Sequence, residues 1–135
     1  MPLLTWNNKY SVGVAAMDSQ HTQLFSMVND LHAAMMQGKA LPVTGPLLRK
    51  LAEYTQRHFS AEEALMSSKN YPEFAKHKAE HVALTKQVSE FAARFEKGET
   101  TLSLQLMNFL RDWLTNHIQK EDQKYGKYLN EHGLK

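Results

Sequence analysis

The sequence predicts an all-α domain: an up-down-up-down four-helix bundle with an N-terminal arm and a short C-terminal helix. Three observations predict it. Four long segments carry apolar residues three and four apart, the spacing that lines one face of a helix. Short connections join the segments, so consecutive helices must run antiparallel. Polar residues, most of them histidines, interrupt the apolar faces at positions that would meet inside such a bundle.

Residues 1–17 carry Pro2, Gly13 and scattered β-branched residues and are expected to form an irregular arm. Asp18 is the expected N-cap of the first helix, whose inward face is His21, Leu24, Phe25, Val28, Leu31 and Met35, with Gly38 ending it. The second helix is expected to start near Thr44 and Pro46 and to face inward through Leu47, Leu48, Leu51, Tyr54, His58, Glu62, Leu65 and Met66. Asn70-Tyr71-Pro72 breaks it and starts the third, because proline is tolerated only in a first turn. The third has the most regular seam: Phe74, His77, His81, Leu84, Val88, Phe91 and Phe95, closed by Gly98. The fourth is expected to begin at Thr100 or Thr101 and to bury Leu102, Leu106, Phe109, Leu110, Trp113, Leu114 and His117. The bundle thus spans about residues 18–118, and a short helix with Tyr125, Tyr128 and Leu129 follows over about 122–132. No internal repeat or linker divides the 135 residues, so they are read as one domain.

Composition excludes several functions. Cysteine is absent, which removes disulfides, thiolate metal sites and cysteine nucleophiles. Sixteen basic residues against fourteen acidic leave +2, spread without clusters, so no nucleic-acid partner is expected. No apolar run approaches the roughly 18 residues of a membrane helix, and membrane insertion is not expected. The opening residues lack a signal-peptide pattern, and a cytoplasmic address is expected.

His21, His58, Glu62, His77, His81 and His117 occupy positions where the pattern calls for apolar residues. An unpartnered buried imidazole or carboxylate costs several kcal/mol. Metal coordination supplies the compensation, and bundle cores are where facing helices build such sites. His58 and Glu62 are four residues apart, as are His77 and His81, so each pair projects from one helix face. A single such pair is commonplace; inward polar groups on all four helices are not. His32 returns to nearly the face of His21 but about 16 Å further along the axis, and is expected toward the far end of the bundle. His132 is expected in a solvated C-terminus. Glu63 and Glu80 fall beside the inward stripe and are expected to be solvated surface charges.

These residues resemble the ligand signature of the hemerythrins: His21, His58-Phe-Ser-Ala-Glu62, His77-Lys-Ala-Glu-His81 and His117-Ile-Gln-Lys-Glu-Asp122. Trp6, Val12-Gly-Val and Asp18-Ser-Gln-His21-Thr-Gln-Leu-Phe are also similar to the bacterial single-domain members, and the likeness runs from about Trp6 to Tyr128. The resemblance implies two non-haem iron ions joined by an oxo or hydroxo bridge. His77, His81 and His117 would hold one, His21 and His58 the other, and Glu62 and Asp122 would bridge them. By donor count the two-histidine iron keeps one position open, where dioxygen would bind. Asp122 lies five residues after His117, which on a continuous α-helix turns it about 140° away. The resemblance therefore requires the helix to end or distort between Ile118 and Glu121, and Glu121, at the regular spacing, is the rival ligand.

Reversible dioxygen binding for carriage, storage or delivery, with no enzymatic activity, is the function the resemblance implies; an oxygen-consuming enzyme would be the recipient. No Glu-x-x-His pair of the ferritin-like oxygen-activating sites occurs. The expected oxygen pocket is Leu24, Phe59, Trp113, Leu114 and Ile118, an apolar set that would keep protons away, although all five are also ordinary core residues. Rival readings are a di-iron enzyme acting on nitric oxide or peroxide, an oxygen- or iron-sensing module, and simple metal storage or a metal-free helical protein.

Overall fold

A computed structural model describes residues 3–38, 41–98 and 104–135. A short 3-10 turn, Asn8–Tyr10, interrupts the arm, and five α-helices follow: α1 (Ala15–Met36), α2 (Leu41–Ser68), α3 (Phe74–Glu96), α4 (Leu104–His117) and α5 (Gln123–Glu131). Between α4 and α5 the chain continues as a π-helical turn, Ile118–Asp122. α1 to α4 form the expected antiparallel bundle. The expected start of the fourth helix at Thr100 or Thr101, and Leu102, lie outside the described residues, as does the side chain of Leu106. Among the described residues no helix is long and apolar enough to cross a membrane.

The seams close as the spacing requires, except at Phe109, expected to be buried, which turns off the inward face of α4 and is 44% exposed. Met17, Leu24, Phe25, Val28 and Leu31 of α1 meet Leu48, Leu51, Phe59 and Met66 of α2, Leu84, Val88 and Phe95 of α3, and Met107, Leu110 and Leu114 of α4 in one buried core. α1 and α3 each run out into a left-handed glycine, Gly38 (φ 69°) and Gly98 (φ 77°), the conformation that ends a helix without a Cβ clash. α2 starts earlier than Thr44, which puts Pro46 inside it. The carbonyl four residues back belongs to exposed Pro42, so the lost hydrogen bond falls on a group that water can reach.

The start of α1 differs from expectation. Asp18 is not its N-cap: the helix begins at Ala15, and Asp18 stands in its first turn. Its carboxylate accepts instead from the Ser11 hydroxyl (2.6 Å) and the Val12 N–H (2.8 Å), tying the arm to α1. The arm then crosses α5. The Gln123 side-chain amide donates to the Lys9 carbonyl (2.7 Å), and that of Asn130 to the Gly13 carbonyl (2.9 Å). Between these two bonds the backbones meet at Gly126, where a Cβ would stand 1.9 Å from the Val12 carbonyl oxygen. Only glycine allows that approach. Trp6 and Tyr10 of the arm pack edge-on against Phe25 of α1, with centroids 5.3 and 5.1 Å away, and lie tilted to each other at 5.8 Å.

Gly126→Ala should therefore separate the arm from α5. The obstacle is backbone, which cannot swing aside, so a loss of about 1–3 kcal/mol is expected, as for an overpacked core. Chemical denaturation measures it, and unchanged stability would mean that the crossing is looser than described.

Candidate metal centre

Each bundle helix delivers its polar residues to one level. His21 stands two turns into α1; His58 and Glu62 lie in the second half of α2; His77 and His81 stand near the start of α3; His117 ends α4. Antiparallel packing brings these positions together, and all six side chains are buried, together with Asp122. Asp122 joins them through the π-helical turn. Closing each hydrogen-bonded ring with one extra residue carries position i+5 back over position i, so Asp122 Oδ1 lies 3.0 Å from His117 Nε2. Glu121 is turned outward and sits 3.9 Å from exposed Lys124.

Two groups of donors result, each with its atoms within 4.8 Å of one another: Glu62, His77, His81, His117 and Asp122, and His21, His58, Glu62 and Asp122. Glu62 and Asp122 belong to both. Asp122 turns Oδ1 to His77 and His117 (3.0 Å each) and Oδ2 to His21 (3.1 Å). Glu62 turns Oε1 to His58 and His81 (3.3 Å each) and Oε2 to His21 (3.1 Å). His81 Nε2 and His117 Nε2 are 3.3 Å apart.

These distances resemble hydrogen bonds, yet many of the atoms make none. Glu62 Oε1, His77 Nε2 and both Asp122 oxygens are buried and lack a hydrogen-bond partner. They are close without pointing at one another. Two donors about 2.1 Å from a common metal and at right angles to each other lie about 3.0 Å apart, so the spacing is that of neighbouring ligands around a cation. The imidazole and carboxylate donor set suits a first-row transition metal.

The outer faces of the imidazoles fix their orientation. His58 Nδ1 donates to Gln20 Oε1 (2.7 Å) and His81 Nδ1 to Glu63 Oε2 (3.0 Å), while His117 Nδ1 faces Glu80 Oε2 at 3.6 Å. A proton held on Nδ1 leaves the Nε2 lone pair facing inward. Glu63 and Glu80 are therefore not the free surface charges that their positions beside the stripe suggest; their side chains, 20% and 34% exposed, reach back to the rings. Phe59 stacks on His81 (3.8 Å, 3°) and Trp113 on His117 (4.7 Å, 11°). Tyr125, expected only as part of the terminal helix, donates its buried hydroxyl to Glu62 Oε2. Its position three residues after Asp122, on the same helix face, is the signal that points to it. Gln20 carries no such signal.

Above the donors lies an apolar cavity of about 30 Å³ lined by Leu24, Val28, Leu51, Thr55, Phe59, Leu84, Val88, Leu110, Trp113 and Leu114. Four of the five expected pocket residues line it. Ile118 does not; it is fully buried in the π-helical turn. The cavity extends a turn further than expected, to Leu110. Its one hydroxyl, on Thr55, is bonded to the Leu51 carbonyl (2.7 Å).

The pattern of the hemerythrin HHE cation binding domain matches residues 12–129. The chain belongs to the hemerythrin family. Among hemerythrin relatives, the bacteriohemerythrin of Stenotrophomonas maltophilia is 36% identical over 132 residues, covering 98% of this chain and 85% of the relative. That of Methylococcus capsulatus is 38% identical over 131 residues, covering 96% and 99%. Among solved hemerythrin structures, an L114A mutant superposes with a TM-score of 0.90 at 38% identity, covering 94% of this chain and 97% of that one. A wild-type hemerythrin superposes with a TM-score of 0.88, covering 93% and 96%.

Without metal, protons balance the buried charges. Burial works against a charged His21, but the Asp122 carboxylate beside it, the hydrogen bond to Glu62 and the two negative charges outweigh it, raising His21 from 6.5 to about 10. Burial likewise opposes ionisation of Glu62 and Asp122, yet the surrounding histidines hold both below the ordinary carboxylate range. For a group whose folded value is raised, stability is fully present below the unfolded value and disappears as pH climbs through the folded one. For lowered carboxylates it is present above their unfolded values and lost as pH falls. The metal-free hemerythrin fold should therefore be most stable between the ordinary values of Glu, 4.5, and His, 6.5, and should weaken steadily toward pH 10. Melting temperatures across that range test this; a maximum near pH 9 would contradict it.

Proposed function

We propose that this chain binds dioxygen reversibly at a pair of non-haem irons, for carriage, storage or delivery. The observation that carries the reading is the pair of buried donor groups sharing Glu62 and Asp122, with three imidazoles on one side and two on the other. In this reading His77, His81 and His117 hold one ion, His21 and His58 the other, and Glu62 and Asp122 bridge them. The iron pair, when bound, supplies the redox chemistry that takes up dioxygen. The side with two imidazoles offers one donor fewer, which leaves room there for a small ligand.

The chain's own residues act by orientation and exclusion. Gln20 and Glu63 hold His58 and His81 with their lone pairs inward. Leu24, Phe59 and Leu114, each within one turn of a donor on its own helix, line an apolar cavity beside the site. Nothing lining that cavity is acidic or basic, and the Thr55 hydroxyl is already engaged. A pocket that supplies no proton favours release of the ligand unchanged over its reduction. This supports a carrier over an enzyme acting on nitric oxide or peroxide. A cytoplasmic carrier serving an oxygen-consuming enzyme is the setting that the reading implies.

Purified protein should hold two irons per chain and show an optical change on oxygenation that reverses when oxygen is removed. Iron analysis with an anaerobic-to-aerobic titration measures both. One metal per chain, or an irreversible change, would refute the proposal.

Leu114 stands one turn before His117 and is buried at the cavity wall. Leu114→Ala should cost about 2–5 kcal/mol as a core truncation, and should also let water reach the donors. Oxygen-loaded protein should then autoxidise several-fold faster. Leu31→Ala, fully buried but away from the cavity, should lose comparable stability without that acceleration. Equal autoxidation rates in the two variants would show that the cavity does not guard the site.

A further inference from the structure

Tyr125 belongs to α5, outside the four-helix bundle, yet it is among the most deeply buried side chains of the protein. Packing alone would be met by phenylalanine. The hydroxyl is buried in addition, which costs stability unless it is bonded. Its bond goes to Glu62 Oε2, the same oxygen that faces His21 Nε2. The ring stands edge-on to His77, with centroids 5.5 Å apart.

The surrounding contacts hold the phenol in place. Gln123, two residues before it, is bonded to the Lys9 and Ser11 carbonyls (2.7 and 3.2 Å). Gly126, the next residue, lies directly against the Val12 backbone, and Asn130 donates to Gly13. The arm thus grips α5 on both sides of Tyr125. A hydrogen bond delivered from so fixed a position keeps its geometry whatever the charge of the site beneath it.

We infer that Tyr125 is a positioning residue of the metal centre, which by donating to Glu62 sets the balance between its reduced and oxidised states. The inference rests on the two-iron reading above. A carboxylate that accepts a hydrogen bond has less charge to give a metal. The more highly charged, oxidised metal loses more by this than the reduced one, so the bond favours the reduced state. Partners one bond removed from a metal ligand commonly tune a site in this way.

The test is the midpoint potential of the iron-loaded, full-length chain in a graded series at position 125. Tyr125→Phe removes the donor. Site-specific 3-fluorotyrosine, nearly the same size and a stronger donor, reinforces it. At a fixed solution potential, Tyr125→Phe should shift the oxidised-to-reduced ratio about tenfold toward oxidised, 59 mV for a one-electron couple, and fluorotyrosine should shift it the other way. Tyr128→Phe, also on α5, is the control: its hydroxyl bonds the Lys69 and Asn70 carbonyls in the turn after α2, clear of the donors, and its potential should match the parent. In metal-free protein, Tyr125→Phe should also move a carboxylate infrared stretch that disappears in Glu62→Gln.

Identical potentials in the parent and Tyr125→Phe, or an equal shift in Tyr128→Phe, would overturn the inference. If Tyr125→Phe does not fold, the nearly isosteric fluorotyrosine variant decides alone, and an unshifted potential there overturns it. Parent protein that binds iron without taking up oxygen reversibly, with the graded order intact, would refute the carrier reading and support this one. Parent protein that binds no iron would overturn both.

Discussion

Five imidazoles and two carboxylates share one buried layer of this bundle, and the rest of the structure is arranged around that fact. An apolar core cannot leave such groups without partners. Their spacing offers too few hydrogen bonds to satisfy them: both oxygens of Asp122, one of Glu62 and the inner nitrogen of His77 are left over. In the metal-free state protons supply part of the balance, which is why His21 holds its charge to about pH 10. Metal ions would replace those protons, so metal binding, proton release and folding stability become one coupled equilibrium.

The C-terminal end of the bundle has to work hardest to meet the constraint. The first four helices deliver six donors by regular α-helical geometry alone. The seventh, Asp122, requires the ladder to widen by one residue, and the π-helical turn provides this without breaking the helix. That turn also sets the direction of α5, which must bring Tyr125 back over Glu62. The arm holds α5 there through side-chain bonds on both sides of the Gly126 crossing. Arm and terminal helix are thus part of the site, although neither belongs to the four-helix core.

Whatever followed helical periodicity was legible in the sequence. The four seams, the antiparallel order and the inward histidines all rest on repeating spacings, and the need for a distortion before Asp122 followed from the one spacing that did not fit. Long-range partners were not legible. Glu63 and Glu80 sit at positions that periodicity assigns to solvent, and only the neighbouring helix shows what they reach. Asp18 has the residue type of an N-cap, but the arm claims its carboxylate and the helix begins earlier. Gly126 and Tyr125 have meaning only once the arm is laid across them. Ile118 has the apolar character of a pocket residue, and the widened turn directs it elsewhere.

The coupling of metal, charge and fold is tested most directly by adding iron(II) in steps to metal-free protein under anaerobic conditions and measuring the melting temperature after each addition. The melting temperature should climb until two equivalents are bound and then level off. A plateau after one equivalent, or a melting temperature that does not respond to iron, would contradict the account.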